Sequence, residues 1–201
     1  MASKQTSSNS GLPWDQGGLS ISALAQTWVM VTFRPGQAFS LPLGGQWKRW
    51  FLFAVIINGA VMLGTWAIMS GRMAGGAHIS GPAIGDGLSP GAALGLVLLI
   101  NLVYMVFQAG LINVLLKFIT RTAYGFPEAL RVACYAQAPH LFSLFTPLVG
   151  PVMELFYFLW NLVIMIIGIQ RTYQVSLARA IAVNVIYAVL TIYLTMVLRP
   201  A

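Results

Sequence analysis

EALRVACYAQAPHLFSLFT, residues 128–146, decides the topology of this chain. Counted as a membrane span it is one of five. Left out, it reverses the side on which every later loop lies. Hydrocarbon penalises much of what it carries: Arg131, Tyr135, Gln137, Pro139 and His140. The sequence around it sets the answer. Four further apolar stretches each approach the roughly 20 residues that a crossing needs. They cover 50–70, 91–118, 148–169 and 178–198. The second is long enough to tilt.

Composition requires lipid as the solvent. Of 201 residues, 58% are hydrophobic and only 7% charged, whereas soluble domains average about 25% charged. The net charge of +7 does not indicate nucleic acid, because the basic residues are scattered and no polar domain presents them. They act as topology signals and as contacts to anionic headgroups. Lys4, Arg34, Lys48, Arg49, Lys117, Arg121, Arg131, Arg171 and Arg179 fall on one side if residues 128–146 cross, and Arg72 and Arg199 on the other. Five spans thus place the amino terminus in the cytoplasm and the carboxy terminus outside. The expected fold is all-α and integral to the membrane, probing no other solvent, and bacterial inner membrane is the expected location.

Three regions follow. Residues 1–19 lack an apolar run, so a signal peptide is not expected there and they read as a flexible tail. Residues 20–49 form a juxtamembrane segment, and 50–198 the five-helix membrane domain. Within 20–34, Ile21, Leu24, Ala25, Trp28 and Val31 recur at helical spacing. Ser20 is placed to cap that helix and Pro35 to end it. This predicts an amphipathic helix lying on the inner face, with Trp28, Arg34 and Pro35, then Trp47, Lys48, Arg49 and Trp50, as interfacial anchors. The segment 70–91 holds seven glycines and is expected to be a mobile outer loop. It lacks the GK[ST] ending of a phosphate-binding loop. The single cysteine, Cys134, allows no intramolecular disulfide.

Each span carries at least one amide: Asn58; Asn101 and Gln108, with Tyr104 on the same face; Gln137; Asn161; Asn184. Small residues and amides at depth read as helix packing, with hydrogen bonds across the seams. The alternative is a polar path for a solute or ion. Only Glu154 and His140 are ionisable at depth, and the turn between spans three and four puts them within roughly 5–10 Å of one depth at 1.5 Å per residue. A bond between them is one expectation. Reaction chemistry finds no support: there is no HExxH, no GxSxG and no paired carboxylates. Cys134 lies on an apolar helix, and Ser143 has only His140 as a base and no oxyanion hole. No catalytic, metal-binding or cofactor-binding residue is expected.

Helical geometry divides the opening stretch. Arg131, Tyr135 and Phe142 share one face; Gln137, His140, Ala133 and Leu144 lie on nearly the opposite one. Pro139 lacks an N–H and crowds the carbonyl of Tyr135, so a kink is expected. The carbonyl it frees needs a partner, which a neighbouring helix can supply as an amide.

Two blocks carry a resemblance. TWVMVTFRPGQAFSLPLGG, 27–45, has an aromatic-bearing helix followed by an F-R-P-x-x-x-F segment. The stretch 125–183 has Y-A-x-x-P at Tyr135, Ala136 and Pro139, then a proline–glycine turn, a tryptophan on span four, and an I-I-G-I run ending in V-S-x-x-R-A. Together they resemble the Yip family of Ypt/Rab-interacting membrane proteins, and its prokaryotic branch in particular. That resemblance implies five spans with a cytoplasmic amino terminus. Eukaryotic members engage lipidated small GTPases and membrane-shaping partners. This chain lacks their acidic, tyrosine-bearing amino-terminal segment, so a small GTPase is not an expected partner.

The sequence therefore points to a non-enzymatic protein working through lipid and protein contacts, as an accessory or organising subunit or as a trafficking or shaping factor. Expected partners are anionic lipid at the inner face and other membrane proteins or a second copy. The alternative is a transporter, whose cavity would be lined by Asn101, Gln108, Gln137 and Asn161; a packing seam would leave those amides dry and bonded to one another.

Overall fold

The computed structural model describes residues 11–16, 19–42, 46–74, 90–120 and 125–197. Residues 1–10 and 17–18 of the expected tail, most of the expected outer loop, and Lys4, Arg121 and Arg199 lie outside them. Among the described residues every element is helical. They are α1 (Pro13–Gln16), α2 (Ile21–Phe33), α3 (Pro35–Ser40), α4 (Trp47–Ala74), α5 (Pro90–Thr120), α6 (Phe126–Tyr135), a 3-10 helix (Ala138–Phe145), α7 (Thr146–Val149), α8 (Pro151–Tyr173) and α9 (Leu177–Val197).

Four helices are long and apolar enough to cross a membrane: Trp47–Ile68, Gly95–Ile119, Pro151–Tyr173 and Leu177–Leu194. Their outward faces carry Leu63, Trp66, Leu99, Val103, Leu155, Val185 and Val189, all well exposed. Water would penalise such a surface and lipid does not. Local chemistry sets the ends. The Ser20 hydroxyl accepts from the Ala23 N–H at 3.1 Å and caps α2. Pro35 sits in the first turn of α3, where its missing N–H costs nothing. Gly150, with φ of 89°, makes the turn into α8, a backbone state that glycine adopts without strain.

Hydrogen bonds between helices fix the relative directions. A three-residue turn joins α8 to α9, so they run antiparallel, and the Asn184 amide donates to the Leu162 carbonyl at 3.1 Å. The Tyr104 and Tyr187 hydroxyls meet at 2.6 Å, and the Gln108 amide donates to the Met165 sulfur at 3.4 Å. Stepping from 104 to 108 on α5 therefore follows α8 toward its carboxy end, and α5 is parallel to α8. The chain between them must return along the bundle. It does so through α6, the 3-10 helix and α7, which pack on α4, α5 and α8.

That return goes further than the kinked helix expected over 128–146: the helix breaks rather than bends. The α-helix stops at Tyr135 and residues 138–145 wind as 3-10. The cause is Pro139. It cannot donate to the Tyr135 carbonyl, and its ring would collide with it. The chain tightens instead, with Gln137 N–H donating to the Cys134 carbonyl at 3.3 Å and His140 N–H to the Gln137 carbonyl at 2.9 Å.

Two further expectations need correction. Residues 12–15 are not a free tail. Leu12, Trp14 and Asp15 are buried against the start of α4 and the end of α6. The second concerns α2, which is not a surface helix with a polar outer face. Its inward side holds Thr27, Val31 and Thr32, all fully buried, while Ile21, Val29 and Phe33 point outward. It packs along the bundle. Trp28 Nε1 donates to the Ala138 carbonyl at 2.7 Å, and Trp160 Nε1 to the Thr32 carbonyl at 2.8 Å. Trp160 lies 13 residues before Tyr173 on α8, about 20 Å along the helix, so α2 reaches well into the bundle. Next, α3 returns toward the end of α8, where Phe39 meets Gly168. A Cβ on Gly168 would stand 3.0 Å from Val132 and 3.3 Å from Phe39, so only glycine lets these three elements close up.

Candidate functional site

Two polar centres lie within the apolar bundle. The first sits at the end where α4 and α9 begin and α5 and α8 finish. Lys48, Arg49, Lys117, Arg131, Arg171 and Arg179 are all near this end. At its heart is Asp15. Its Oδ1 accepts from the Tyr135 hydroxyl at 2.6 Å and from Trp50 Nε1 at 3.1 Å. Arg49 Nη1 donates to the Asp15 carbonyl at 2.6 Å, and Trp14 Nε1 to the Arg49 carbonyl at 2.7 Å. Arg131, buried to 1% exposure, faces Asp15 electrostatically and donates to the carbonyls of Leu41 at 3.1 Å and Ala38 at 3.4 Å. Burial pushes the Asp15 carboxyl above the usual carboxylate range; the hydrogen bond from Tyr135, the charge of Arg131, and then Trp50 and Arg49 pull it back. One arginine thus ties α6 to the α3 region, and one aspartate ties α1 to α4 and α6.

Asp15 is the residue that sequence reading misses. Its signal is present in LPWDQ, 12–16: a lone acid beside leucine and tryptophan inside an otherwise polar stretch. The expected anchors divide. Trp47 is exposed, with Lys48 Nζ 5.9 Å from its ring centre. Arg34 is exposed and Pro35 buried. Trp50 and Trp28 face inward, Trp50 onto Asp15 and Trp28 onto the break in the third segment.

The second centre surrounds that break. The Asn161 amide donates to the Ala136 carbonyl at 2.6 Å. An amide on a neighbouring helix thus serves a carbonyl at the break, one residue beyond the Tyr135 carbonyl that Pro139 crowds. His140 does not pair with Glu154. Its Nδ1 lies 2.6 Å from Asn58 Oδ1 and its ring stacks on Tyr157 at 4.7 Å between centroids. Glu154 is exposed in the first turn of α8. Geometry explains the difference: the 3-10 segment turns His140 toward α4 rather than along the hairpin. The amides do not bond to one another. Asn58 and Asn101 donate back to their own helices, at Ala54 and Val97, each at 2.9 Å.

A cavity of about 210 Å³ opens between α5, α8, α9 and the 3-10 helix. Asn101, Tyr104, Gln108, Gln137, His140 and Asn161 all line it. The sequence grouped these residues by helix face, and the structure brings them to one space. Among the described residues no carboxylate, lysine or arginine lines it. Among the described residues no cluster of His, Cys, Asp or Glu is arranged to hold a metal ion. Cys134 is fully buried, and the Ser143 hydroxyl donates to the His140 carbonyl at 2.7 Å.

Replacing Asn161 by leucine should destabilise the protein by about 1–2 kcal/mol. A buried carbonyl left without a donor costs about 1–3 kcal/mol, and amide bonds in membranes fall at the lower end of that scale, at most about 1.7. The loss is read as a lower unfolding midpoint in detergent micelles. An unchanged midpoint would mean that the break needs no donor from α8.

A family model described as the Yip1 domain matches residues 28–199. No curated protein and no solved structure matches the chain.

Proposed function

The chain belongs to the Yip1 domain family, and from that premise we propose a non-enzymatic polytopic membrane protein that acts through contacts with lipid and with other membrane proteins or a second copy of itself. It would serve as an accessory or organising subunit of a membrane assembly, or as a trafficking or shaping factor, in a bacterial inner membrane and on the prokaryotic side of the family. Parallel α5 and α8 support a fifth crossing by residues 126–149. The gathering of Lys48, Lys117, Arg171 and Arg179 at one end supports a cytoplasmic placement for that end. These exposed cations suit anionic headgroups.

The observation that carries this reading is the outward face of α2. This helix has 13 residues, about 20 Å of length, and so cannot cross alone. Yet Trp28 and Thr32 hold it firmly to the bundle, and it presents Ile21, Val29 and Phe33 outward at 86, 47 and 57% exposure. A fixed apolar face of this kind suits lipid or another membrane helix. Side chains capable of reaction are occupied structurally: His140 by Asn58 and Ser143 by its own helix. A path for solute would have to continue toward the cation-bearing end, where Ile112, Leu116, Met165 and Ile169 are fully buried.

Gentle detergent extraction followed by native mass spectrometry tests the proposal. Wild type should carry a co-purifying membrane protein, a second copy or anionic lipid. Changing Val29 and Phe33 to glutamate should strip that partner while the unfolding midpoint stays within error. A bare monomer that performs proton-coupled uptake in liposomes would overturn the reading.

A further inference from the structure

We propose that the cavity between α5, α8, α9 and the 3-10 helix binds an uncharged, hydroxyl-bearing group of glycerol to small-sugar size. The size follows from the volume. About 210 Å³ equals roughly seven waters at about 30 Å³ each. The absence of charge follows from the lining, which has no group to neutralise an ion at a depth where an unpaired charge is costly.

The need for hydroxyl donors follows from what the walls leave unused. Gln108 is 2% exposed, its amide nitrogen is spent on the Met165 sulfur, and its Oε1 has no partner. Asn58 donates its amide to Ala54 and so turns its oxygen to His140. His140 Nδ1 must then be the donor, which leaves Nε2 of the neutral ring as an acceptor. Gln137, 8% exposed on the same cavity, supplies an amide with no partner among the described residues. Gln108 Oε1 and His140 Nε2, with the oxygens of Asn101 and Asn161 whose amide nitrogens are spent on Val97 and Ala136, give the walls an excess of acceptors, which calls for a ligand with at least two O–H donors. The rim carries Phe158 and Ile192, 49 and 52% exposed, so an acyl chain attached to the hydroxylated group could leave along an apolar path. The same chemistry can therefore arrive on a lipid or as a free polyol. The inference is independent of any protein partner, because the α2 face and the cavity share no residue.

The test uses the full chain in an amine-oxide detergent, which has no hydroxyl groups to compete. 1-Monooleoylglycerol is titrated and its one-to-one adduct followed by native mass spectrometry, and radiolabelled glycerol is followed by equilibrium dialysis. A saturable monooleoylglycerol adduct insensitive to molar glycerol identifies a lipid-borne group; glycerol binding or displacement identifies a free polyol. In either case Gln108→Leu should weaken binding at least tenfold without lowering the unfolding midpoint, since the weak bond to the Met165 sulfur that it loses is offset by removing a buried oxygen that has no partner. Ala188→Phe, which fills the cavity from α9, should abolish binding. The proposal is overturned if neither probe binds saturably, or if both variants bind as wild type does.

Discussion

Replacing Arg131 by alanine should cost about 3–5 kcal/mol, since two buried carbonyls lose their donor at about 1–3 kcal/mol each and a buried carboxyl loses a nearby cation. Few membrane proteins of this size would stay folded in detergent after such a loss. The argument rests on geometry rather than on charge alone. Arg131 is 1% exposed, so no water can replace it. Without it the Ala38 and Leu41 carbonyls lose their donor, and Asp15 loses its nearest buried cation. Arg131→Lys keeps the charge but not the fork that reaches two carbonyls, so its cost should fall between alanine and wild type. Pairing Arg131→Met with Asp15→Asn removes both charges, and the double variant should be less destabilised than the two single changes added together. The measurement is the thermal unfolding midpoint in detergent, followed by tryptophan emission. A wild-type midpoint for Arg131→Ala would show that the guanidinium is hydrated and the end of the bundle open.

The features that were legible in the sequence depend on one helix at a time. Length and apolarity locate the four long helices, Ser20 and Pro35 bound α2, and Pro139 marks a break whose carbonyls need an outside donor. Each is a local property of chain and solvent. The features that were not legible depend on which faces meet. Helical spacing puts Asn101, Tyr104 and Gln108 on one stripe, but only the parallel course of α5 and α8 sets that stripe opposite Asn161 and Tyr187. The α2 pattern fits a surface helix, but its threonines face inward with Val31, bonded to α1 or packed in the bundle, while Ile21, Val29 and Phe33 face out. His140 was paired with Glu154 from depth alone. Depth ignores rotation, and the 3-10 winding that Pro139 imposes rotates His140 to Asn58.

Deleting residues 1–16 should destabilise the membrane domain by at least about 3–5 kcal/mol, although none of the removed residues lies in a long apolar helix. Trp14 is 3% exposed and Leu12 fully buried; losing one buried tryptophan alone costs about 3–5 kcal/mol. Its indole N–H serves the Arg49 carbonyl and its backbone N–H the Thr27 hydroxyl, so the deletion also loosens α2. A free tail predicts no change at all. The two possibilities separate further in a second background. In the full chain, Tyr135→Phe removes the donor to Asp15 Oδ1 at 2.6 Å and should cost about 1–3 kcal/mol. In the truncated chain the carboxylate is already gone, the hydroxyl has no partner to lose, and the same change should cost nothing or stabilise slightly. Equal costs in the two backgrounds would mean that Tyr135 acts elsewhere and that Asp15 does not hold the amino-terminal segment to the bundle. Unequal costs would show that the Asp15 carboxylate, beside buried Leu12 and Trp14, helps to hold α1 to the bundle.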